Sequence, residues 1–280
     1  RDPYNERMAH DPFGANSVVF VEGYERPEWT HEDREARKGK LEEHLIASTA
    51  FGEVRKFRVY VPARFRTNRR HPLLIVHDGR DFLNFAGLQT VLDNLIHRYE
   101  IPPTVVALLD SDDRLNEYAN NEQHARFVVE ELVPAMSELY PLHDRPDARV
   151  LMGASFGAVA TLSTAWRYQG TFGKLLLQSG SFAFTDIGEH DRGPVFDPVV
   201  RFVNAFRDDP GRPAEQVHVS CGIYERLIYE NRSLVPLLQS AGMSVRFEES
   251  RDGHDWENWR DRLRGGLSWL LPGPLWFVYE

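Results

Sequence analysis

The chain has 280 residues, of which 42% are hydrophobic and 27% are charged, an ordinary composition for a globular protein. Its formal net charge of −9 argues against a nucleic-acid partner, because a non-specific binder needs a basic face to neutralise phosphates. The length allows one large hydrophobic core and does not require two domains.

The chain contains one cysteine, Cys221, which excludes an internal disulfide and favours a cytoplasmic location. No stretch of the sequence approaches the apolar length that crosses a bilayer, so we expect no membrane partner. The sequence has neither metal-ligand spacing nor a phosphate-binding glycine loop, and it therefore predicts no metal and no cofactor. It does not indicate an oligomeric state. Because it begins at Arg1 rather than Met, it also leaves open whether a leader preceded it.

Two regions differ in pattern. Residues 1–38 are polar and charged, and we interpret them as an N-terminal extension that lies on the body of the protein. Their one apolar patch, Val18–Val21, is the candidate for a strand. Residues 39–280 form the predicted catalytic domain.

Apolar runs and helical patterns alternate through the catalytic domain. Segments 45–48 and 54–61 predict an antiparallel pair of strands. Alternation of buried strands and helices predicts a three-layer α/β fold with a mostly parallel sheet. The aromatic stretch 182–213 predicts a lid or a pocket wall. Buried strands are predicted at 73–76, 104–109, 149–152, 174–178, 216–220 and 244–248, and helices at 87–98, 120–139, 156–167 and 256–270.

The segment Gly153–Gly157 matches the motif Gly-x-Ser-x-Gly, with Ser155 at its centre. It lies between a predicted buried strand and a predicted helix. This is the context of a nucleophile elbow, in which the glycines allow a sharp turn that exposes the serine hydroxyl. We predict that Ser155 is a catalytic nucleophile. The alternative interpretation is a tight strand-to-helix turn with an incidental serine.

A serine hydroxyl needs an adjacent base to accept its proton. His254 lies in the short turn after the last predicted strand and is the only histidine beyond His218, which we interpret as a strand residue. In the fold that carries such elbows, the histidine comes last in the chain order. We therefore predict His254 as the base, with a helix-capping or surface role as the alternative.

The acid that orients the histidine should come from the loop after the preceding strand. Glu225 is the only carboxylate in that loop, residues 222–226. We predict that Glu225 completes the catalytic triad. A surface salt bridge is the alternative role for Glu225, and Asp252 and Asp255 remain alternative acids.

An acyl-transfer site also needs donors for the developing oxyanion. The N–H of Phe156, directly after the nucleophile, is one predicted donor. The loop 77–82 follows the first predicted parallel strand, and the N–H of Arg80 in this loop is the second. A simple strand-ending turn is the alternative. Substrate contacts are predicted for Asp81, Phe82, Phe182 and Trp256, although aromatic residues are more often core residues.

From about Gly39 to Leu270 the sequence resembles a family of esterases related to enterochelin esterase and esterase D, with mycolyltransferases as more distant relatives. The resemblance implies an α/β-hydrolase fold in which Ser155 and His254 are the catalytic pair. The mycolyltransferase-like relatives use a glutamate as the acid, which supports Glu225. The resemblance also places Arg114 and Glu117 beside the site. It is carried by Phe57–Pro62, Val76–Gly79, Arg114–Tyr118, Glu130–Pro134, Gly153–Gly157, Gln178–Phe182, Tyr224–Glu225, Asp252–Trp256 and Trp259–Arg260.

These features together predict a serine carboxylic-ester hydrolase that forms an acyl-enzyme on a small or medium ester. The candidate substrates are a siderophore lactone, a feruloyl or acetyl ester, and a small thioester. Enterochelin esterases carry a substantial N-terminal β domain that residues 1–38 are too few to form, which leaves the substrate open. Two other functions fit the same sequence: an acyltransferase with the same triad, and a non-catalytic hydrolase-like binding protein.

Overall fold

The computed structural model describes residues 3–274 except residues 6, 13 and 21. Strands at nearly all of the predicted segments form its centre, because runs of β-branched and aliphatic residues pack well on a pleated surface. In chain order the strands are β1 (Met8–Asp11), β2 (Gly14–Ser17), β3 (Lys40–Ser48), β4 (Glu53–Val61), β5 (Leu73–Val76), β6 (Val105–Leu109), β7 (Arg149–Ala154), β8 (Lys174–Gln178), β9 (Gln216–Gly222) and β10 (Ser244–Ser250).

Eight of these strands form one sheet in the order β10-β9-β8-β7-β5-β6-β4-β3. The pairs β3–β4 and β4–β6 are antiparallel and all other neighbours are parallel, so the predicted sheet and its antiparallel pair are confirmed. The central strands are apolar on both faces: Leu73 and Ile75 pack into one core cluster, and Leu74 and Val76 into the other.

Helices cover both faces of the sheet and give the three layers predicted. Residues of α1, α2 and α9 pack into one core cluster, whereas residues of α5, α6, α7 and α8 pack into the other. A π-helical segment, Phe127–Leu132, joins α4 to α5, so the helix predicted over 120–139 is almost continuous. The helices are α1 (Gly79–Phe85), α2 (Leu88–His97), α3 (Arg114–Glu117), α4 (Glu122–Arg126), α5 (Val133–Leu139), α6 (Phe156–Arg167), α7 (Asp197–Asp208), α8 (Ile228–Ser240) and α9 (Trp256–Leu270).

Four helices, α1, α3, α7 and α8, lie outside the predicted helical segments, and two of them have a clear local cause. Helix α1 begins inside the predicted loop 77–82, because Asp78 adopts a left-handed conformation with φ 56° and turns the chain directly into a helix. Helix α7 lies inside the stretch predicted to be rich in loops. It buries Val199, Phe202, Val203 and Phe206, a spacing of three and four residues that is typical of an amphipathic helix.

Residues of the N-terminal extension make hydrogen bonds to the body of the protein. Its Tyr24 O–H donates to Asp261 Oδ2 at 2.8 Å, and Asn94 donates to the carbonyl of Trp29 at 2.8 Å. The strand expected at the apolar patch is absent from residues 18–20, while Val21 lies outside the described residues. A short antiparallel hairpin of β1 and β2 precedes the patch instead. None of the helices described is long and apolar enough to cross a membrane.

Candidate active site

The turn between β7 and α6 holds Ser155 in an unusual backbone conformation, with φ 57° and ψ −120°. Such angles are rare for a residue with a side chain and are typical of nucleophile elbows. A Cβ atom on Gly153 would lie 2.2 Å from the carbonyl oxygen of Gly157, so only glycine fits there. The strand and the helix can therefore approach closely, and the serine is held at the carboxyl edge of the sheet.

The three predicted catalytic side chains form one hydrogen-bonded chain. His254 Nε2 lies 3.2 Å from Ser155 Oγ, and His254 Nδ1 lies 2.7 Å from Glu225 Oε2. With Nδ1–H donating to the carboxylate, Nε2 is free to accept the proton of the serine hydroxyl. The imidazole is 39% exposed, whereas the side chain of Glu225 is fully buried. The base is thus open to a substrate while the acid is enclosed by protein.

Glu225 is held by hydrogen bonds to its second oxygen as well. Oε1 accepts the Ser179 hydroxyl at 2.6 Å, the Gly222 N–H at 2.7 Å and the Asn258 side-chain N–H at 3.1 Å. A buried carboxylate without such partners is strongly destabilising. The donors therefore fix the orientation of the carboxyl group that faces His254.

In the segment after β8, Phe182 was predicted as a substrate contact, but no role was predicted for Ser179 and Ser181. Ser181 Oγ lies 3.2 Å from Ser155 Oγ, and its N–H donates to the Ser155 carbonyl at 3.2 Å. Ser179 accepts the indole N–H of Trp259 at 2.9 Å while donating to Glu225. One signal was available in the sequence: the segment follows a buried parallel strand, and such strands end at the same edge of the sheet.

The two predicted oxyanion donors have different surroundings. Phe156 is the first residue of α6, where an N–H has no acceptor within its own helix and the helix dipole favours negative charge. The N–H of Arg80, by contrast, donates to Asp110 Oδ1 at 2.8 Å. This second donor is already occupied in the structure, since the end of β6 brings a carboxylate to the start of α1.

Arg114 contacts the elbow and also forms an ion pair with Asp78. Its Nε and Nη2 atoms each donate to Asp78 at 2.7 Å, and Nη2 also lies 3.3 Å from the carbonyl oxygen of Ala154. The side chain is 33% exposed, so it reaches solvent beside the nucleophile. The nearby Asp81 is half-buried, and burial together with the charge of Asp78 raises the pKa of its carboxyl.

Glu117 forms a buried ion pair instead of lining the site. Both of its oxygens accept from Arg55, at 2.9 and 2.7 Å, and its side chain is only 9% exposed. Burial alone would raise its pKa, but His124 and the Arg55 guanidinium lower the pKa of Glu117 to about 2. The substrate contact implied by the resemblance is thus replaced by a structural contact to β4.

Three aromatic residues predicted to face the substrate are buried in the core. Phe82, Phe182 and Trp256 are 0%, 1% and 7% exposed. The rings of Phe82 and Trp256 meet edge to face, 5.1 Å apart, and fix α1 against α9. Their contribution in this structure is packing beneath the site.

A buried pair of histidines lies below the elbow. His77 Nδ1 lies 3.0 Å from the carbonyl oxygen of Met152, and the Nε2 atoms of His77 and His124 are 2.9 Å apart. Burial lowers the pKa of both imidazoles, and in His77 the neighbouring His124 lowers it further. His124 is an isolated histidine in the sequence, and no signal beside it indicates that it is buried under the sheet.

Comparison with known proteins places the chain among esterases. Residues 48–270 match the family described as "Putative esterase". The iron(III) enterobactin esterase of Escherichia coli K12 is 28% identical over 205 residues, covering 72% of this chain and 50% of that protein. The chain therefore spans about half the length of the enterobactin esterases that it matches in sequence.

Two solved structures show the same fold. The enterobactin esterase of Shigella flexneri has a TM-score of 0.78 and 24% identity, and the match covers 96% of this chain and 68% of that one. A ferulic acid esterase has a TM-score of 0.72 and 18% identity, with 84% and 97% covered. The fold is that of the α/β-hydrolases, and because the family match extends over most of its length, the chain belongs to this esterase family.

Proposed function

We propose that the chain is a serine carboxylic-ester hydrolase that works through an acyl-enzyme. The observation that supports this proposal most directly is the continuous chain of hydrogen bonds from Ser155 through His254 to Glu225, with distances of 3.2 and 2.7 Å. Its order of nucleophile, base and acid is the one that activates a serine hydroxyl.

In the first half of the reaction, Ser155 Oγ attacks the carbonyl carbon of the ester while His254 Nε2 takes the hydroxyl proton. Glu225 stabilises the imidazolium that forms. The tetrahedral oxyanion is bound by the N–H of Phe156, at the positive end of α6. As the intermediate collapses, His254 gives its proton to the leaving alcohol oxygen, the ester C–O bond breaks, and the acyl group stays on Ser155.

In the second half, water takes the place of the alcohol. His254 removes one proton from this water, the hydroxide attacks the acyl carbon, and the proton returns to Ser155 Oγ as the acid leaves. The 39% exposure of the imidazole gives water direct access to the base. The N–H of Arg80 can join Phe156 as an oxyanion donor only after it separates from Asp110, which makes this contact a second, conditional part of the proposal.

The surroundings of the nucleophile favour an ester rich in oxygen atoms. Within the described residues, Nη1 of Arg114 makes no hydrogen bond, while Nε and Nη2 hold Asp78. A planar guanidinium presents donors in a fixed arrangement that suits carboxylate and phenolate oxygens. Relatives in sequence and in fold are named as esterases of enterobactin and of ferulic acid. We extend the proposal to small or medium esters of this oxygen-rich kind.

A substrate panel tests the proposal. Chromogenic esters of increasing acyl length, a feruloyl ester and a ferric catecholate triester are assayed with the wild type and with His254→Ala. We expect hydrolysis by the wild type and a loss of at least about 10³-fold in kcat in the variant. An alcohol acceptor is then added: transfer of the acyl group to the alcohol in preference to water would instead indicate an acyltransferase, and hydrolysis by His254→Ala at the wild-type rate would contradict the proposal.

A further inference from the structure

A cavity of about 920 Å³ lies at the edge of the sheet opposite to the candidate active site. Its lining residues include Pro72, Pro103, Ala148 and Lys174, which stand at, or one or two residues before, the first residues of β5, β6, β7 and β8. Ser155 instead follows the last residue of β7. The cavity is therefore a separate feature of the molecule, and ester hydrolysis does not use it.

Positive charge is concentrated in this cavity. The described lining contains seven side chains of arginine or lysine and one carboxylate, in a chain whose net charge is −9. A concave surface with one sign of charge focuses the electrostatic potential and raises the local concentration of the opposite ion. These residues are Arg37, Arg64, Arg66, Arg69, Arg70, Arg145 and Lys174, with Asp147 as the carboxylate.

Most of these cations lack a carboxylate partner. Asp147 pairs with Arg145 at 3.3 Å, Arg70 donates to a backbone carbonyl at 2.7 Å, and Arg64 lies over the ring of Tyr99 at 4.1 Å. The remaining four are without an ion pair in the part of the chain that the structure describes: Arg37, Arg66, Arg69 and Lys174. Four unpaired cations exceed what one phosphate group would neutralise.

Two titratable side chains in the cavity respond to this charge. Burial lowers the pKa of Lys174; among the neighbouring charges, Asp147 raises it, Arg145 lowers it and Glu215 raises it. Burial and then the charges of Arg145 and Arg70 also lower the pKa of His143. An anion in the cavity would raise the pKa of both side chains, because it favours their protonated forms.

Neutralisation of helix ends explains only part of the arrangement. The carboxyl end of α2 points toward this edge, and its partial negative charge attracts nearby cations. Arg66 and Arg69, however, lie on the exposed loop between β4 and β5 rather than on a helix. Interaction with the end of a helix therefore does not explain why Arg66 and Arg69 line the cavity.

We propose that this cavity binds a small polyphosphate, with Arg66, Arg69 and Lys174 as its principal ligands. Arginine forks match phosphate oxygens in pairs, and a lysine on the floor adds a point charge. The volume falls within the range of about 300–1,000 Å³ that is typical of small-molecule sites. A concave, solvent-accessible site of this size on an acidic protein favours a compact anion over a duplex nucleic acid, which needs an extended basic face.

Calorimetric titration of the full chain with inorganic triphosphate tests the proposal, in metal-free buffer at about physiological ionic strength. The variants are the double substitution Arg66→Gln with Arg69→Gln, and Lys174→Gln. The matched control is Arg201→Gln, an exposed arginine on α7 that does not line the cavity. We expect saturable binding of one triphosphate by the wild type and by the control, and an affinity at least about tenfold lower in both cavity variants.

Three results would overturn the proposal. One is the absence of saturable triphosphate binding by the wild type. Another is equal weakening in the cavity variants and in Arg201→Gln, which would indicate general charge screening. The third is tighter binding of duplex DNA or polyglutamate than of triphosphate at equal negative charge. Chromogenic-ester turnover by the cavity variants at the wild-type rate confirms that they are folded, because the active site lies at the other edge of the sheet.

Discussion

The hydroxyl oxygens of Ser155 and Ser181 lie 3.2 Å apart. Since the Ser155 hydroxyl donates to His254, its oxygen is left to accept the proton of Ser181. Ser181 is itself buried, and its N–H is bonded to the carbonyl of Ser155. Two contacts from the segment after β8 therefore hold Ser155, the proposed nucleophile, in place.

Removal of the Ser181 hydroxyl should slow acylation without weakening substrate binding. For Ser181→Ala we expect kcat to fall roughly tenfold with KM nearly unchanged, because a positioning hydrogen bond is lost. Ser163→Ala is the matched control, since Ser163 is also buried but bonds only to the backbone of α6. Steady-state kinetics of the two variants is the measurement. Equal effects in both, or a change in KM alone, would mean that Ser181 does not position the nucleophile.

Substitution of the acid should remove most of the activity. In Glu225→Gln the amide oxygen is expected to face the three donors that now bond to Oε1, which turns its NH₂ group toward His254. The imidazole must then carry its proton on Nε2, the tautomer that cannot accept from serine, and we expect kcat to fall by about 10³- to 10⁴-fold. The control is Glu249→Gln, which loses only an exposed pair with Arg232. Full activity in Glu225→Gln would assign the acid role to another carboxylate.

Glu117 should affect stability and not the reaction. Removing Glu117 leaves the buried Arg55 guanidinium with only the exposed Glu53 as its carboxylate partner, so we expect Glu117→Gln to lower the free energy of unfolding by about 3 kcal/mol at neutral pH. Denaturant unfolding measures this loss, and KM for the ester is the internal control. A raised KM with unchanged stability would instead support the substrate contact that the family resemblance implies.

The same ion pair gives the protein a defined acid sensitivity. The pKa of Glu117 is about 2 in the folded protein against an ordinary 4.5, so the stabilisation is complete above pH 4.5 and is lost as the pH falls toward 2. The difference in unfolding free energy between the wild type and Glu117→Gln should therefore shrink across this window. Denaturant curves at several pH values measure it. A difference that stays constant down to pH 2 would show that the carboxylate is not stabilised by its partners.

The sequence predicts the triad because each member stands beside a local signal. Glycines mark the elbow of Ser155, and His254 occupies a short turn between the last strand and the last helix. The side chains of the triad lie close together because β7, β8, β9 and β10 are parallel neighbours that end at the same edge of the sheet. The three-layer fold follows from the same alternation of elements.

Contacts made by side chains from distant segments were not predictable in this way. The N–H of Arg80 is occupied only because Asp110 arrives from the end of β6. Phe82 and Trp256 are aromatic residues of the kind that line apolar pockets, but their burial depends on how α1 packs against α9. The sequence indicates which residue types are present, whereas contacts between distant side chains depend on how the helices and the sheet pack together.

Covalent labelling of Ser155 tests the proposed mechanism most directly. The wild type, Ser155→Ala and the control Ser163→Ala are treated with a fluorophosphonate, and the adduct is located by mass spectrometry of the intact and digested protein. We expect one adduct on Ser155 in the wild type and in the control, and none in Ser155→Ala, because only a serine activated by His254 attacks the reagent. Equal labelling of Ser155→Ala, or an adduct on a different residue of the wild type, would contradict the assignment of Ser155 as the nucleophile.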